Sequence, residues 1–235
     1  EVLGVAPAVW LAHWERDPRA AVRAWCEQHD HWIAEMLVAL GPLADRPVPV
    51  HDLHAHATPA SMHELALVLS EQPQFARRPR WAGRCADTGP WNRLHETAAG
   101  PIDTVATRLA SRLAEIVRLA LPDRPGRSGT GWLAQGALTL GRNEGLGWVE
   151  MARGLLVHHV VLDGEGSAAR VASCRVLAPT EWNFHPDGAV AALLERFPSQ
   201  PTDADRRDIG VLVAAYDPCV PFEIDGARIK ETSHA

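Results

Sequence analysis

Apolar residues recur at helical spacing over several stretches of the chain, and in continuous β-prone runs over one. From Asp17 to Leu40 the positions Val22, Trp25, Ile33, Met36, Leu37 and Leu40 mostly keep the 3.6-residue period, and Gly41-Pro42 supplies a stop, so one helix is predicted there. Residues 42–58 are rich in proline and histidine without a sustained period and predict a loop. Pro59 opens a second helix through about Leu69, and residues 71–90 predict an irregular connection. From Pro101 to Leu121, residues Ile102, Val105, Leu109, Leu113, Ile116, Val117 and Ala120 trace an apolar stripe, with Pro101 suited to the first helical position. Glycines crowd residues 126–147 and blur any period. Two β-prone runs then flank Asp163-Gly164, predicting an antiparallel hairpin over 154–180. Asp187 can cap a short helix to Phe197, and Thr202 with Asp205 forms an acidic variant of a capping box opening a last helix that ends before Pro218. The predicted fold is a mainly helical α+β domain spanning residues 1–235.

Composition narrows the function classes. A chain of 235 residues that is 46% hydrophobic can bury one sizeable core, or two small ones, without disulfides or metals. The formal charge is −6 and the 23 basic residues are dispersed, so no nucleic-acid footprint exists. The apolar runs at 154–162 and 209–216 are far shorter than the ~20 residues of a membrane-spanning helix. The opening residues, from Glu1, lack the basic flank and cleavage site of a secretion signal, so a cytoplasmic protein is expected, its start either cut away or lying inside a longer chain. Cys26, Cys85, Cys174 and Cys219 form no CxxC pair. Cys26 and Cys174 are expected to be packing residues, Cys85 a secondary thiol in a loop. Nine tryptophans mostly serve packing, while Trp10, Trp14 or Trp81 in irregular regions could anchor a partner.

Four stretches carry a family resemblance. "GRCADTGPWNR" at 83–93 resembles Gly-x-Pro-x-Glu-x-Gly-Pro-Leu-Ala-Arg of nickel-iron hydrogenase large subunits. "EMARGLLVH" at 150–158 is similar to their Glu-Ala-Pro-Arg-Gly-x-Leu-x-His, and "VLAPTEWNFHP" at 176–186 to their Val-x-Pro-Thr-Thr-Trp-Asn-x-x-Pro. "YDPCVPF" at 216–222 resembles their Asp-Pro-Cys-x-x-Cys. Four short matches in the family's order are more specific than any one of them. The resemblance implies a large-subunit-like helical core with a small antiparallel hairpin or sheet.

The departures bear on activity. The family's first CxxC is absent, Phe222 stands where the second cysteine of the last pair belongs, and Asp225 replaces the histidine of the processing site. One thiolate cannot hold a catalytic nickel, so neither hydrogen turnover nor nickel is expected. By the resemblance, Cys219 is the metal-ligand candidate, Arg153 the cation over iron-bound cyanide, and Asp217, Pro218 and Phe222 complete the pocket. Cys85, Glu150 and His158 are possible secondary contacts, although His158 as a hydrogen-bonded core histidine is the plainer reading. Cys219 leaves the last helix at its carboxyl end, where a thiolate needs a compensating positive charge.

This pattern is similar to the HupK/HoxV-type hydrogenase maturation proteins. It implies a non-catalytic scaffold that holds the Fe(CN)2CO unit transiently through one thiolate, receives it from a HypC-type chaperone and passes it to the apo large subunit. The rival readings are a metal-free pseudo-subunit, in which Phe222 packs on Cys219, a degenerate hydrogenase with thiols upstream of Glu1, and a zinc hydrolase built on His51, His54 and His56.

Overall fold

Proline begins five helices of the chain, where its fixed φ suits the first turn and its missing N–H costs nothing. They are α1 (Pro7–Arg16), α2 (Pro18–Gln28), α4 (Pro59–Glu71), α5 (Pro90–Leu94) and α7 (Pro179–Asn183). The remaining helices are α3 (Trp32–Val38), α6 (Val105–Ala120), α8 (Ala189–Leu194) and α9 (Asp203–Ala215). The strands are β1 (Gln135–Gly141), β2 (Glu144–Met151), β3 (Gly154–Asp163), β4 (Arg170–Leu177) and the two-residue pair β5 (Glu223–Ile224) and β6 (Ala227–Arg228). The computed structural model describes residues 2–121, 132–224 and 227–228. It is the α+β protein expected from the sequence. No helix among the described residues is long and apolar enough to cross a membrane.

The chain packs into two compact units. The first comprises the described residues of 1–50, 90–122 and 189–235. In it α6 packs against α1, α2, α5 and α9. Trp10 and Trp14 stack with ring centroids 5.9 Å apart, and Trp25 meets Trp10 edge-on at 6.0 Å. Both Trp10 and Trp14 are buried on α1, a helix the sequence reading did not foresee, and so serve the core and not a partner.

The single helix expected over 17–40 is instead α2 and α3. His29 is extended at the end of α2, and His31 caps α3 by accepting the Ile33 N–H at Nδ1. The polar run Gln28 to His31 has no apolar face to bury, so the helix breaks there. Pro101 likewise precedes its helix and does not open it. Thr104 is the N-cap of α6, in a reciprocal box with Thr107. The box predicted at Thr202 and Asp205 does open α9.

The second unit comprises the described residues of 51–89 and 123–188. Its sheet is an antiparallel meander in the order β1-β2-β3-β4, with α4 laid against β1 and β3. The expected hairpin is β3–β4, closed by a 3-10 turn at Gly166–Ala168. The glycine-rich segment that obscured the period also supplies β1 and β2. Gly145 and Gly147 lie in β2 and Gly136 in β1, where the Trp148 ring fills the space a side chain at 136 would take. The core is Leu53, Met62, Leu65, Leu69, Phe75, Leu146, Leu155, Val157, Leu177 and Trp182, with Trp81 packed against it and not free to anchor a partner.

Candidate functional site

Thr88 is the junction of three of the four stretches singled out in the sequence. Fully buried, it donates its backbone N–H to Asn183 Oδ1 at 2.8 Å, and its carbonyl accepts from Asn183 Nδ2 at 2.9 Å. Its hydroxyl accepts the Leu155 N–H at 3.1 Å. Asn183 belongs to 176–186 and Leu155 to 150–158, so the side chain of one residue and the amide of another fasten both stretches to 83–93. Gly154 makes this approach possible. It has φ +124°, and a Cβ there would stand 2.6 Å from Thr88 Cγ2. Next to this junction, buried Asp87 accepts the His51 N–H at 3.2 Å.

Around the junction, the sequence candidates divide. Glu150 is buried at the end of β2, accepting the Ala134 N–H at 2.7 Å with its other oxygen 3.3 Å from His56 Nε2. Arg153 is exposed in the two-residue turn joining β2 to β3. His158 is exposed, and its neighbour His159 is the buried histidine, bonded to Glu144 at 2.7 Å. The reading of His158 as a core residue therefore missed by one position, which on a strand means the opposite face. Cys174 is exposed on β4 for the same reason and is not the packing residue expected; Cys26 is half-buried.

Cys85, expected only as a secondary thiol, has a partner. Its Sγ lies 3.2 Å from Nδ1 of His185, a residue of stretch 176–186 that is 2% exposed. The Asp187 N–H also donates to that nitrogen at 3.0 Å, so Nδ1 carries the lone pair and the Cys85 S–H donates to it. Asp187 is in turn ion-paired with Arg80. Burial pushes the Cys85 thiol up, with Arg80 opposing and Asp187 assisting. Burial also lowers His185, and Arg80 adds to that. At neutral pH the pair is a thiol and a neutral imidazole.

The fourth stretch lies in the first unit. After α9, Tyr216 is buried and Asp217 turns left-handed at φ +54°, which directs Pro218 and Cys219 away from the helix axis. Cys219 is exposed, and Asp217, Pro218 and Phe222 are half-buried. Arg112 of α6 donates to the Ala214 carbonyl at 2.6 Å and approaches Asp217 Oδ2 at 3.6 Å, placing a cation at the negative end of α9. Beneath it Arg108, completely buried, is sandwiched by the rings of Trp91 (4.4 Å) and Tyr216 (4.6 Å) and donates to the Pro49 carbonyl at 2.6 Å. Arg93 forms a buried two-point pair with Glu115 at 2.6 and 2.8 Å. Trp91 and Arg93 belong to stretch 83–93, which thus reaches the fourth stretch through the Trp91–Arg108–Tyr216 stack.

The sequence reading missed these arginines because it took the buried face of α6 to be purely apolar. Ile102, Val105 and Val117 of the expected stripe are buried, but the packed face also carries Thr107, Arg108, Ser111, Ala114 and Glu115, and Ile116 is 63% exposed. The spacing of Arg108, Arg112 and Glu115 at i, i+4 and i+7 was the available signal. Asp225 lies outside the described residues. Among those described, His51, His54 and His56 form no group able to hold a metal, which removes the basis for a zinc hydrolase.

The chain matches no protein-family model. It is 41% identical, over its whole length, to the hydrogenase expression/formation protein HoxV of Cupriavidus necator. The chain belongs to the HoxV/HupK family of hydrogenase expression/formation proteins. Within it, HupK of Rhizobium leguminosarum bv. viciae is 36% identical over 69% of the chain, and HupK of Bradyrhizobium diazoefficiens 33% identical over 73%. The chain spans 63% of the length of the HoxV relative and 44% and 46% of the two HupK relatives. The relatives' names assign those proteins to hydrogenase expression and formation.

Proposed function

We propose that this chain is a non-catalytic carrier of the Fe(CN)2CO unit during assembly of the nickel-iron hydrogenase active site. The observation that carries the reading is Cys219. It is an exposed thiol beyond the carboxyl end of α9, following an Asp-Pro corner that Arg112 and the Arg108 stack hold in place. A single thiolate on iron can form and break, whereas a closed set of four would retain the metal. Asp217, Pro218 and Phe222, beside Cys219 in the chain, are the candidates to border the iron's ligands.

The proposed donor of the cargo is a HypC-type chaperone and its recipient the apo large subunit. The four matching stretches, three of them fastened together at Thr88, support a core derived from that subunit, with no nickel bound. The test is infrared spectroscopy with iron analysis on chain co-produced with the maturation machinery. Cyanide and carbonyl bands that weaken in Cys219→Ala are expected. A wild-type chain without iron or such bands overturns the carrier reading in favour of a metal-free pseudo-subunit.

A further inference from the structure

The Cys85–His185 pair offers a second pair of donors. We propose that Cys85 Sγ and His185 Nδ1 form a two-donor seat for the iron unit within the second unit, in addition to Cys219; the inference rests on the carrier reading. The two atoms are 3.2 Å apart. A first-row metal at about 2.3 Å from sulfur and about 2.05 Å from an imidazole nitrogen would subtend that edge at roughly 95°. This is the cis angle of an octahedron, while a tetrahedral centre would need an edge of about 3.6 Å. Once the Asp187 N–H moves off Nδ1, six-coordinate iron matches that edge more nearly than tetrahedral zinc does.

The number of donors selects further. Among the described residues, no third His, Cys, Asp or Glu joins the pair to make a metal-holding group. A bare aquated ion gains little from two ligands. An iron that already carries two cyanides and a carbonyl needs only its remaining positions filled. Arg80, ion-paired to Asp187, brings a guanidinium close enough to act on both Cys85 and His185, a cation suited to anionic cyanides. Cys85 is half-buried, and Arg84, Pro186 and Asp187 around it are exposed, so the sulfur side of the seat faces solvent while His185, 2% exposed, lies beneath.

Loading is a ligand exchange without change of oxidation state. Cys85 loses its S–H proton to solvent as the iron–sulfur bond forms. The Nδ1 lone pair makes the iron–nitrogen bond, displacing the hydrogen bonds from Cys85 and from the Asp187 N–H, which hydrates. Two labile ligands leave the iron. His185 is already in the tautomer that coordinates through Nδ1, so only one proton must be removed.

The experiment compares wild type, Cys85→Ser, Cys219→Ser and the double variant, each co-produced with the maturation machinery, by iron per chain and cyanide-band intensity. Cys85→Ser is expected to lower both at least twofold and to remove one set of bands, and the double variant to lose all of them. Alkylation of the wild type, followed by mass spectrometry, reads the seat without any variant. Cys85 is expected to react at least tenfold more slowly in loaded than in iron-free chain. Iron-loaded wild type with unchanged bands in Cys85→Ser and no protection of Cys85 overturns this inference and leaves the carrier reading standing. Iron-free wild type overturns both.

Discussion

Gly154→Ala tests whether the Thr88 junction holds the second unit together as the geometry requires. The residue has φ +124°, a region of backbone space that side-chain-bearing residues adopt at a cost of about 1–3 kcal/mol. The new Cβ would also meet Thr88 at 2.6 Å (Cγ2), 2.7 Å (Oγ1) and 2.9 Å (carbonyl carbon). Neither the side chain nor the backbone of Thr88 can yield easily, because Asn183 holds both its N–H and its carbonyl and Leu155 holds its hydroxyl. Overpacking of this kind adds about 1–3 kcal/mol. The expected total is about 2–6 kcal/mol, a large share of the stability of an ordinary domain. Urea unfolding followed by tryptophan fluorescence and circular dichroism measures it. In a Thr88→Ala background the same substitution is expected to cost about 1–3 kcal/mol less, because two of the three close contacts are gone and only the backbone terms remain. A Gly154→Ala chain within about 0.5 kcal/mol of wild type, or strict additivity in the double-variant cycle, would refute the reasoning.

Arg93→Ala leaves Glu115 charged and buried and is expected to destabilise by about 3–5 kcal/mol in denaturant titration, whereas Arg93→Met with Glu115→Leu should recover most of that loss. Asp205 is held below the usual carboxylate range by its hydrogen bonds from Thr202. Its folded-state pKa lies below the unfolded value of about 3.9, so its contribution is complete above that value and is lost as pH falls through the folded pKa. Amide exchange in the first turn of α9 should accelerate over that acidic window in wild type and show a smaller step in Thr202→Val, which keeps only the backbone N–H donor to Asp205. In iron-free chain at pH 8, the exposed Cys174 and Cys219 should be alkylated before Cys26 and Cys85, whose thiols burial pushes up. Peptide mass spectrometry at graded reaction times would show a reversed order if the burial were wrong.

The sequence by itself determined those elements whose signals are local. Proline at a first turn, Thr202 with Asp205 at a cap, and β-prone runs on either side of Asp163-Gly164 each act over a few residues, so α4, α9 and the β3–β4 hairpin were legible. The order of four short motifs fixed the family in the same way. Tertiary structure decided what depends on partners distant in the chain. The period of α6 could not say which face is buried, because Arg108 enters the core only once Trp91 and Tyr216 supply two ring faces, and Glu115 only opposite Arg93. Glycine-rich β1 and β2 have few side chains to mark an alternation and become strands by pairing with β3. Cys85 and His185, a hundred residues apart, carry no mutual signal in the sequence. Burial forces polar groups to find partners, and only the folded chain determines which ones are within reach.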